Sequence, residues 1–313
     1  MMKRTTSIHN LNADRGLSKF QKIVYLFLNW INNLFPYVHI DKKLEIKYFN
    51  SISIASLWKR SPITSSPSRK LSDLFWMNLP WSKIEKELGR INVMDIGCGS
   101  GEYGTKLTQW SKNRIDHYTG IDLHKHDNWI SLKKKDKKFT FYQSRAEDID
   151  QYIKKGTNLF ISQSAIEHFD NDLEFFKQIQ AYCTGNKKNM IQIHLMPSAP
   201  CLYLYLFHGA RQYTPRNISK ITKLFSAFSY SIIFPLGGRQ CNRLHYKFIT
   251  ASHLKKVREK RISQPEEYDK ALWKAIRDDM KKPTRSCSFY ALVIHSFYRN
   301  KIFQAMSLKK IIS

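Results

Sequence analysis

From Ile91 onward the chain alternates short apolar runs with amphipathic stretches. INVMDI (91–96), YTGIDL (118–123), FTFYQ (139–143), NLFISQ (158–163) and MIQIHL (190–195) each have strand length. Such runs, bounded by turn residues, read as strands buried on both faces. Helical spacing fills two of the gaps, at Glu102 to Trp110 and Asp172 to Tyr182. Strand–helix alternation of this kind predicts a parallel, doubly wound sheet with right-handed crossovers. Later elements are more loosely spaced: a helix over Ile218 to Phe228, a strand over Tyr230 to Phe234, an amphipathic helix over Glu266 to Met280 and a last strand, SFYALVIHSFY, from Ser288. The lysine-rich run Lys133 to Lys138 is expected to be a surface loop.

Upstream of residue 91 the pattern is helical. Residues 22 to 40 read as one helix, and its apolar run IVYLFLNWI is too short to span a bilayer, so it is expected to pack on the body of the protein, with an amphipathic helix in a membrane interface as the alternative. A Pro/Ser-rich stretch, RSPITSSPSR, precedes a further helix over Lys70 to Trp81. The expected architecture is α/β. It has a Rossmann-like, mostly parallel sheet of seven strands, a basic N-terminal extension over residues 1–69, a main domain over 70–313 and a helical insertion near 241–285.

The glycine-rich turn is the most informative segment. Val93 to Gly104 reads VMDIGCGSGEYG. A strand enters the glycines and a helix leaves them, so the backbone can approach a ligand at the helix N-terminus. Gly99, Gly101 and Gly104 satisfy the dinucleotide pattern, with Asp122 about 20 residues on. The register points elsewhere. The strand ends at Gly97, which leaves Asp95 at the carboxyl end of a buried strand. A carboxylate there needs a partner. A pyrophosphate would worsen its position, and a cationic amino-acid moiety would relieve it.

Four segments in order resemble the class I S-adenosyl-L-methionine methyltransferases: MDIGCGSG (94–101), YTGIDL, SRAED (144–148) and SQSAIEHFD (162–170). The resemblance covers about residues 70–235. It implies that Asp95, Gly97, Gly99 and Gly101 hold the methionine end of S-adenosyl-L-methionine, and that Asp122 holds the ribose hydroxyls. It also implies that Ala146 and Glu147 frame the adenine, and that Gln163 lies beside the methionine. Arg145 departs from the pattern, since an acceptor for the adenine amino group often stands there. Adenine contacts then fall to backbone groups or Asp148. No metal is expected, because Ser164 replaces the first carboxylate of the metal-binding members. RKLSDLFWMNLPW, SQSAIEHF and RQYTPRNISKIT further resemble bacterial methyltransferases associated with surface polysaccharide synthesis.

Methyl transfer to a hydroxyl needs an aligned acceptor and a route for its proton. Histidine suits that task near neutral pH. His194, at the end of MIQIHL, is the first candidate base and His168 the second. His208, Arg211 and Tyr213, in the aromatic segment that follows, are candidate substrate-binding residues. Arg69 and Lys70 are placed to reach the cofactor carboxylate.

Charge widens the choice of acceptor. The chain of 313 residues has 52 Lys and Arg against 25 Asp and Glu, a net charge of +27. A field of that sign attracts polyanions, although a lysine-, asparagine- and isoleucine-rich composition raises charge without any anionic partner. The expected acceptor is a small molecule or glycan, methylated on a hydroxyl or amine. An RNA acceptor is the alternative, disfavoured because no RNA-binding module is recognisable. An anionic membrane surface is a further partner consistent with the charge. Five scattered cysteines without C-x-x-C spacing argue against a disulfide framework. They suit a cytoplasmic protein, peripheral at the inner membrane face if the charge is used there.

Overall fold

A computed structural model describes residues 18–49, 54–204, 211–282 and 285–306. Among the described residues eight strands form one sheet: β1 (Leu44–Ile46), β2 (Ile91–Ile96), β3 (Ile115–Asp122), β4 (Phe139–Gln143), β5 (Leu159–Gln163), β6 (Met190–Pro197), β7 (Ser229–Leu236) and β8 (Phe289–Ser296). Their order is β1-β7-β8-β6-β5-β2-β3-β4. Only β8 runs antiparallel to its neighbours, β6 and β7. The mostly parallel, Rossmann-like sheet agrees with the sequence reading, but it has eight strands rather than seven. The extra strand, β1, has three residues and pairs with β7 through Leu44↔Ser231 to Ile46↔Ile233. Three residues give no periodic signal.

The helices, in chain order, are α1 (Lys19–Leu34), α2 (Ile54–Trp58), α3 (Pro67–Met77), α4 (Trp81–Leu88), α5 (Glu102–Trp110), α6 (Asn128–Lys135), α7 (Asp172–Asn186), α8 (Pro215–Lys223), α9 (Arg239–His245), α10 (Ala251–Leu254), α11 (Lys260–Ser263) and α12 (Pro265–Lys281). α9 to α12 lie between β7 and β8.

The period of two along each strand sorts residues into two cores. Ile191, Ile193 and Leu195 enter the core beneath α3 and α12, together with Leu71, Leu74, Phe75, Trp76 and Leu272. Met190 and Met196 enter the opposite core with Phe175, Phe176 and Phe225. α3 starts sharply because Ser66 accepts the Arg69 amide and Pro67 occupies the first turn. The helix expected over Lys70 to Trp81 is α3, which ends at Met77, and the further helical turn expected over Ser82 to Leu88 is α4; Pro80 breaks the backbone ladder between them.

Two further expectations are corrected. Lys133 to Lys135 form the last turn of α6, where cations complement the negative end of the helix dipole, and only the rest of that run is loop. α1 does pack on the body, but with an inward side that includes Tyr25 and Asn29, while most of its large apolar residues are exposed.

β2 pairs with β3 on one side and with β5 on the other. The chain order reverses there, and a crevice opens at the carboxyl ends of the strands.

Candidate functional site

Two cavities occupy that crevice, of about 560 Å³ and about 390 Å³, and Gly97 lines both. β2 ends at Ile96, and Gly97, Gly99 and Gly101 then have φ of +75°, +53° and +80° before α5 begins. Other residues rarely adopt such angles. Gly97 also has no room for a side chain, since a Cβ would lie 2.3 Å from the Ala165 Cβ. Gly99 differs: a Cβ there meets nothing within 4 Å, and the residue borders the smaller cavity.

Asp122, at the end of β3, clamps this turn. Its Oδ2 accepts the Gly99 amide at 2.8 Å and its Oδ1 the His124 amide at 3.0 Å. The Trp129 indole donates to the Gly99 carbonyl at 2.8 Å. Asp122 and His124 line the larger cavity together with Arg145, Ala146 and Glu147. Glu147 accepts the Asn171 amide at 2.9 Å. Arg145, the departure noted above, pairs with Asp170 at 2.5 Å. Asp170 borders the same cavity and brings a carboxylate that position 145 lacks; Asp148 is not among the cavity residues. The motif SQSAIEHFD contained Asp170, but nothing in its spacing indicated that the turn after β5 folds back to Arg145.

Asp95 borders the smaller cavity and is buried. The Tyr118 hydroxyl donates to its Oδ2, and its Oδ1 has no partner among the described residues. Burial pushes the carboxyl up to about 7; the Tyr118 hydrogen bond opposes that shift and the nearby Asp122 charge adds to it. An orphaned acceptor beside a cavity fits a ligand that carries a cation or an N–H donor.

Gln163 lines the same cavity. It accepts the Trp76 indole at 2.8 Å and donates to Ser72 at 3.2 Å and Ser164 at 3.1 Å, which fastens α3 over the cleft. Arg69 also lines this cavity, with its guanidinium 5.1 Å from the Tyr103 ring centroid. Lys70 turns the other way. It is buried and donates to the carbonyls of Trp58 at 3.0 Å and Ser61 at 2.9 Å, so it does not reach the cleft.

The two histidines separate. His168 is exposed and lines the larger cavity. His194 points into the opposite core, fully buried, with its ring 5.0 Å from Phe176 and 5.8 Å from Phe175. Its Nδ1 lies 2.8 Å from the Ser162 hydroxyl, and burial pushes its pKa down to about 3. A proton acceptor must reach its donor. The strand period turns His194 away from both cavities, which corrects the first candidate; of the two histidines, only His168 borders the crevice.

Arg211 and Tyr213 are also corrected. Both are fully buried. Arg211 donates to the Phe169 carbonyl at 2.7 Å and lies 3.6 Å from Asp172. The Tyr213 hydroxyl donates to Asp172 at 2.5 Å. They brace the turn that carries His168 and present no surface to an acceptor. Tyr213→Phe is therefore expected to lower stability by about 1–3 kcal/mol, the cost of removing one hydrogen bond from a buried carboxylate. Urea denaturation would measure this, with binding of S-adenosylhomocysteine retained. His208 lies outside the described residues. Among the described residues no three His, Cys, Asp or Glu side chains are grouped so as to hold a metal ion. Backbone strain marks the same turn: Ser164, just past β5, has φ of +52°.

Comparison with known proteins adds a domain match. Residues 89–200 match the model of a methyltransferase domain. No curated protein matches the chain. Among solved structures, the plantazolicin methyltransferase BamL, in complex with a triazolic desmethylPZN analog and SAH, is 16% identical over 89% of this chain and 100% of its own, with a TM-score of 0.46. A SAM-dependent methyltransferase from Archaeoglobus fulgidus is 18% identical over 70% and 94%, with a TM-score of 0.41. The [4+2]-cyclase SpnF is 10% identical over 89% and 95%, with a TM-score of 0.44.

Proposed function

We propose that this S-adenosyl-L-methionine-dependent methyltransferase methylates a hydroxyl of a small molecule or glycan, with His168 taking the proton. The observation that carries the reading is the pair of cavities that share Gly97 in their walls: one borders the orphaned Asp95 oxygen, the other borders Asp122, Glu147 and His168. In this reading Asp95 and Arg69 hold the amino and carboxylate groups of the cofactor's methionine. Gly99 lets the ligand lie against bare backbone. Asp122 faces the ribose, and Ala146, Glu147 and Asp170 frame the adenine. Gln163, tied to Trp76, keeps α3 closed over the methionine side.

The bound cofactor supplies an activated methyl group. What remains for the protein is alignment, exclusion of water and removal of one proton. His168 sits on the short turn Ile166–His168, directly after the strained Ser164 and braced from below by Arg211 and Tyr213. A rigid turn at the rim holds an imidazole in one place while acceptors exchange. An amine acceptor would use the same geometry. A glycan acceptor accords with the sequence resemblance to enzymes of surface polysaccharide synthesis.

Two measurements test this. Calorimetry with S-adenosylhomocysteine should give saturable binding, and its absence would remove the methyl-transfer reading altogether. Transfer of labelled methyl to a fractionated cell extract should place label in the small-molecule or glycan fraction. Label in RNA would overturn the acceptor class alone. His168→Ala is expected to lower kcat by roughly a hundredfold or more, the low end for loss of a general base, with the dissociation constant for S-adenosylhomocysteine unchanged. Full turnover in that variant would reduce His168 to a wall of the cavity.

A further inference from the structure

Helix α1 is reversed relative to an ordinary surface helix. Its inward side is partly polar: Asn29 is buried and donates to the Tyr25 carbonyl at 2.9 Å, and Asn32 donates to Asn217 of α8 at 2.7 Å. Its outward side is apolar. Phe20 is 73% exposed, Ile23 64%, Phe27 55%, Trp30 53% and Leu34 49%. Spacings of three and four residues set these side chains in one stripe along the helix. A stripe of this size on a soluble surface marks an interaction site.

Charge identifies the partner. No Asp or Glu occurs from Ser18 to Ile40. Lys19 and Lys22 lie on the helix itself, and Lys42, Lys43, Lys220 and Lys223 are exposed on the adjoining segment and on α8. The whole chain adds a net charge of +27. An apolar stripe with bulky aromatics, on a helix that carries Lys19 and Lys22 and no carboxylate, in a chain of net charge +27, suits the headgroup–acyl boundary of an anionic bilayer. Sixteen residues extend about 24 Å at 1.5 Å per residue, short of the roughly 30 Å hydrocarbon core, so the helix lies in the interface and does not cross it. Among the described residues no helix is long and apolar enough to cross a membrane.

We infer that α1 docks the protein on an anionic membrane surface, with the Phe20–Leu34 stripe inserted among the acyl chains. This holds whether or not the acceptor proposed above is correct. α1 packs against the turn Ala199–Leu204 that follows β6, so docking brings that side of the sheet to the bilayer.

Co-sedimentation of the full chain with vesicles of phosphatidylcholine, with and without phosphatidylglycerol, tests the inference. Wild type should partition onto the anionic vesicles more strongly than onto phosphatidylcholine alone, and less so as salt is raised, because screening weakens the cationic contribution. The combined variant Ile23→Ser, Phe27→Ser, Trp30→Ser should lose roughly tenfold or more of that partitioning, as expected when buried apolar area is removed. Its binding of S-adenosylhomocysteine should be unchanged, which shows the fold intact and keeps this test apart from the test of methyl transfer. Absence of partitioning, equal partitioning by the variant, or no preference for anionic lipid would each overturn the inference. So would a stable dimer by light scattering without vesicles that the variant dissociates, since the stripe would then belong to a second copy of the chain.

Discussion

Gly97→Ala is expected to abolish cofactor binding and to lower stability by about 2–5 kcal/mol. Two independent costs combine. An L-residue in the left-handed region costs about 1–2 kcal/mol, and the new methyl group would lie 2.3 Å from the Ala165 Cβ, an overlap that must push β2 and the turn after β5 apart at about 1–3 kcal/mol. That displacement moves a wall that both cavities share. Gly99→Ala is the control. Its Cβ meets nothing within 4 Å, so only the backbone cost of its φ of +53° remains. Its new methyl group borders the cavity and should raise the dissociation constant for S-adenosylhomocysteine with a smaller loss of stability. Denaturation paired with calorimetry separates the two. Equal destabilisation by both substitutions would contradict the packing argument at Gly97.

Asp95→Asn is expected to trade function for stability. Burial raises the Asp95 carboxyl from 3.8 to about 7 in the folded chain. Between those values the unfolded chain releases a proton that the folded chain keeps, so stability falls as pH rises from about 4 to 7. The stability lost across that window is at most about 4 kcal/mol, at roughly 1.4 kcal/mol per unit. Asparagine carries no such burden and can still accept the Tyr118 hydroxyl. The variant should therefore be about 2–4 kcal/mol more stable than wild type at pH 8 without ligand and no more stable at pH 4. Cofactor binding should move oppositely. The ionised carboxyl is the form that holds a cationic amino group, so wild-type affinity for S-adenosylhomocysteine should strengthen as pH rises from 6 to 8. The variant should bind weakly with a flat pH profile. A variant that binds as tightly as wild type would remove Asp95 from the methionine site.

The contrast between His168 and His194 shows where reading from sequence fails. Both follow apolar strand residues, and both lie near a strand's carboxyl end. His194 is still within β6, on the face turned to Phe175 and Phe176, whereas His168 is past β5, on a turn that has left the sheet. One residue of register decides which face a strand side chain takes, and the exact end of a strand is the least legible feature of a periodic pattern. Arg211 and Tyr213 fail for a related reason. A polar cluster after a strand reads as a binding site, and only the chain folding back over Asp172 makes it a buried brace.

The amino-acid sequence alone determined the alternating elements, the mostly parallel sheet, the turn at Gly97 to Gly101 and the placement of Asp95, Asp122, Ala146, Glu147 and Gln163 around one crevice. Those features depend on local period, on backbone angles only glycine accepts easily, and on short motifs whose order along the chain sets their order across the sheet. Tertiary structure decided the rest. It joined β1 to the sheet edge, brought Asp170 to Arg145, turned His194 into the core and faced α1 outward. Each of these depends on contacts between residues distant in sequence, and hydrophobic periodicity says which faces of an element are apolar without saying what covers them.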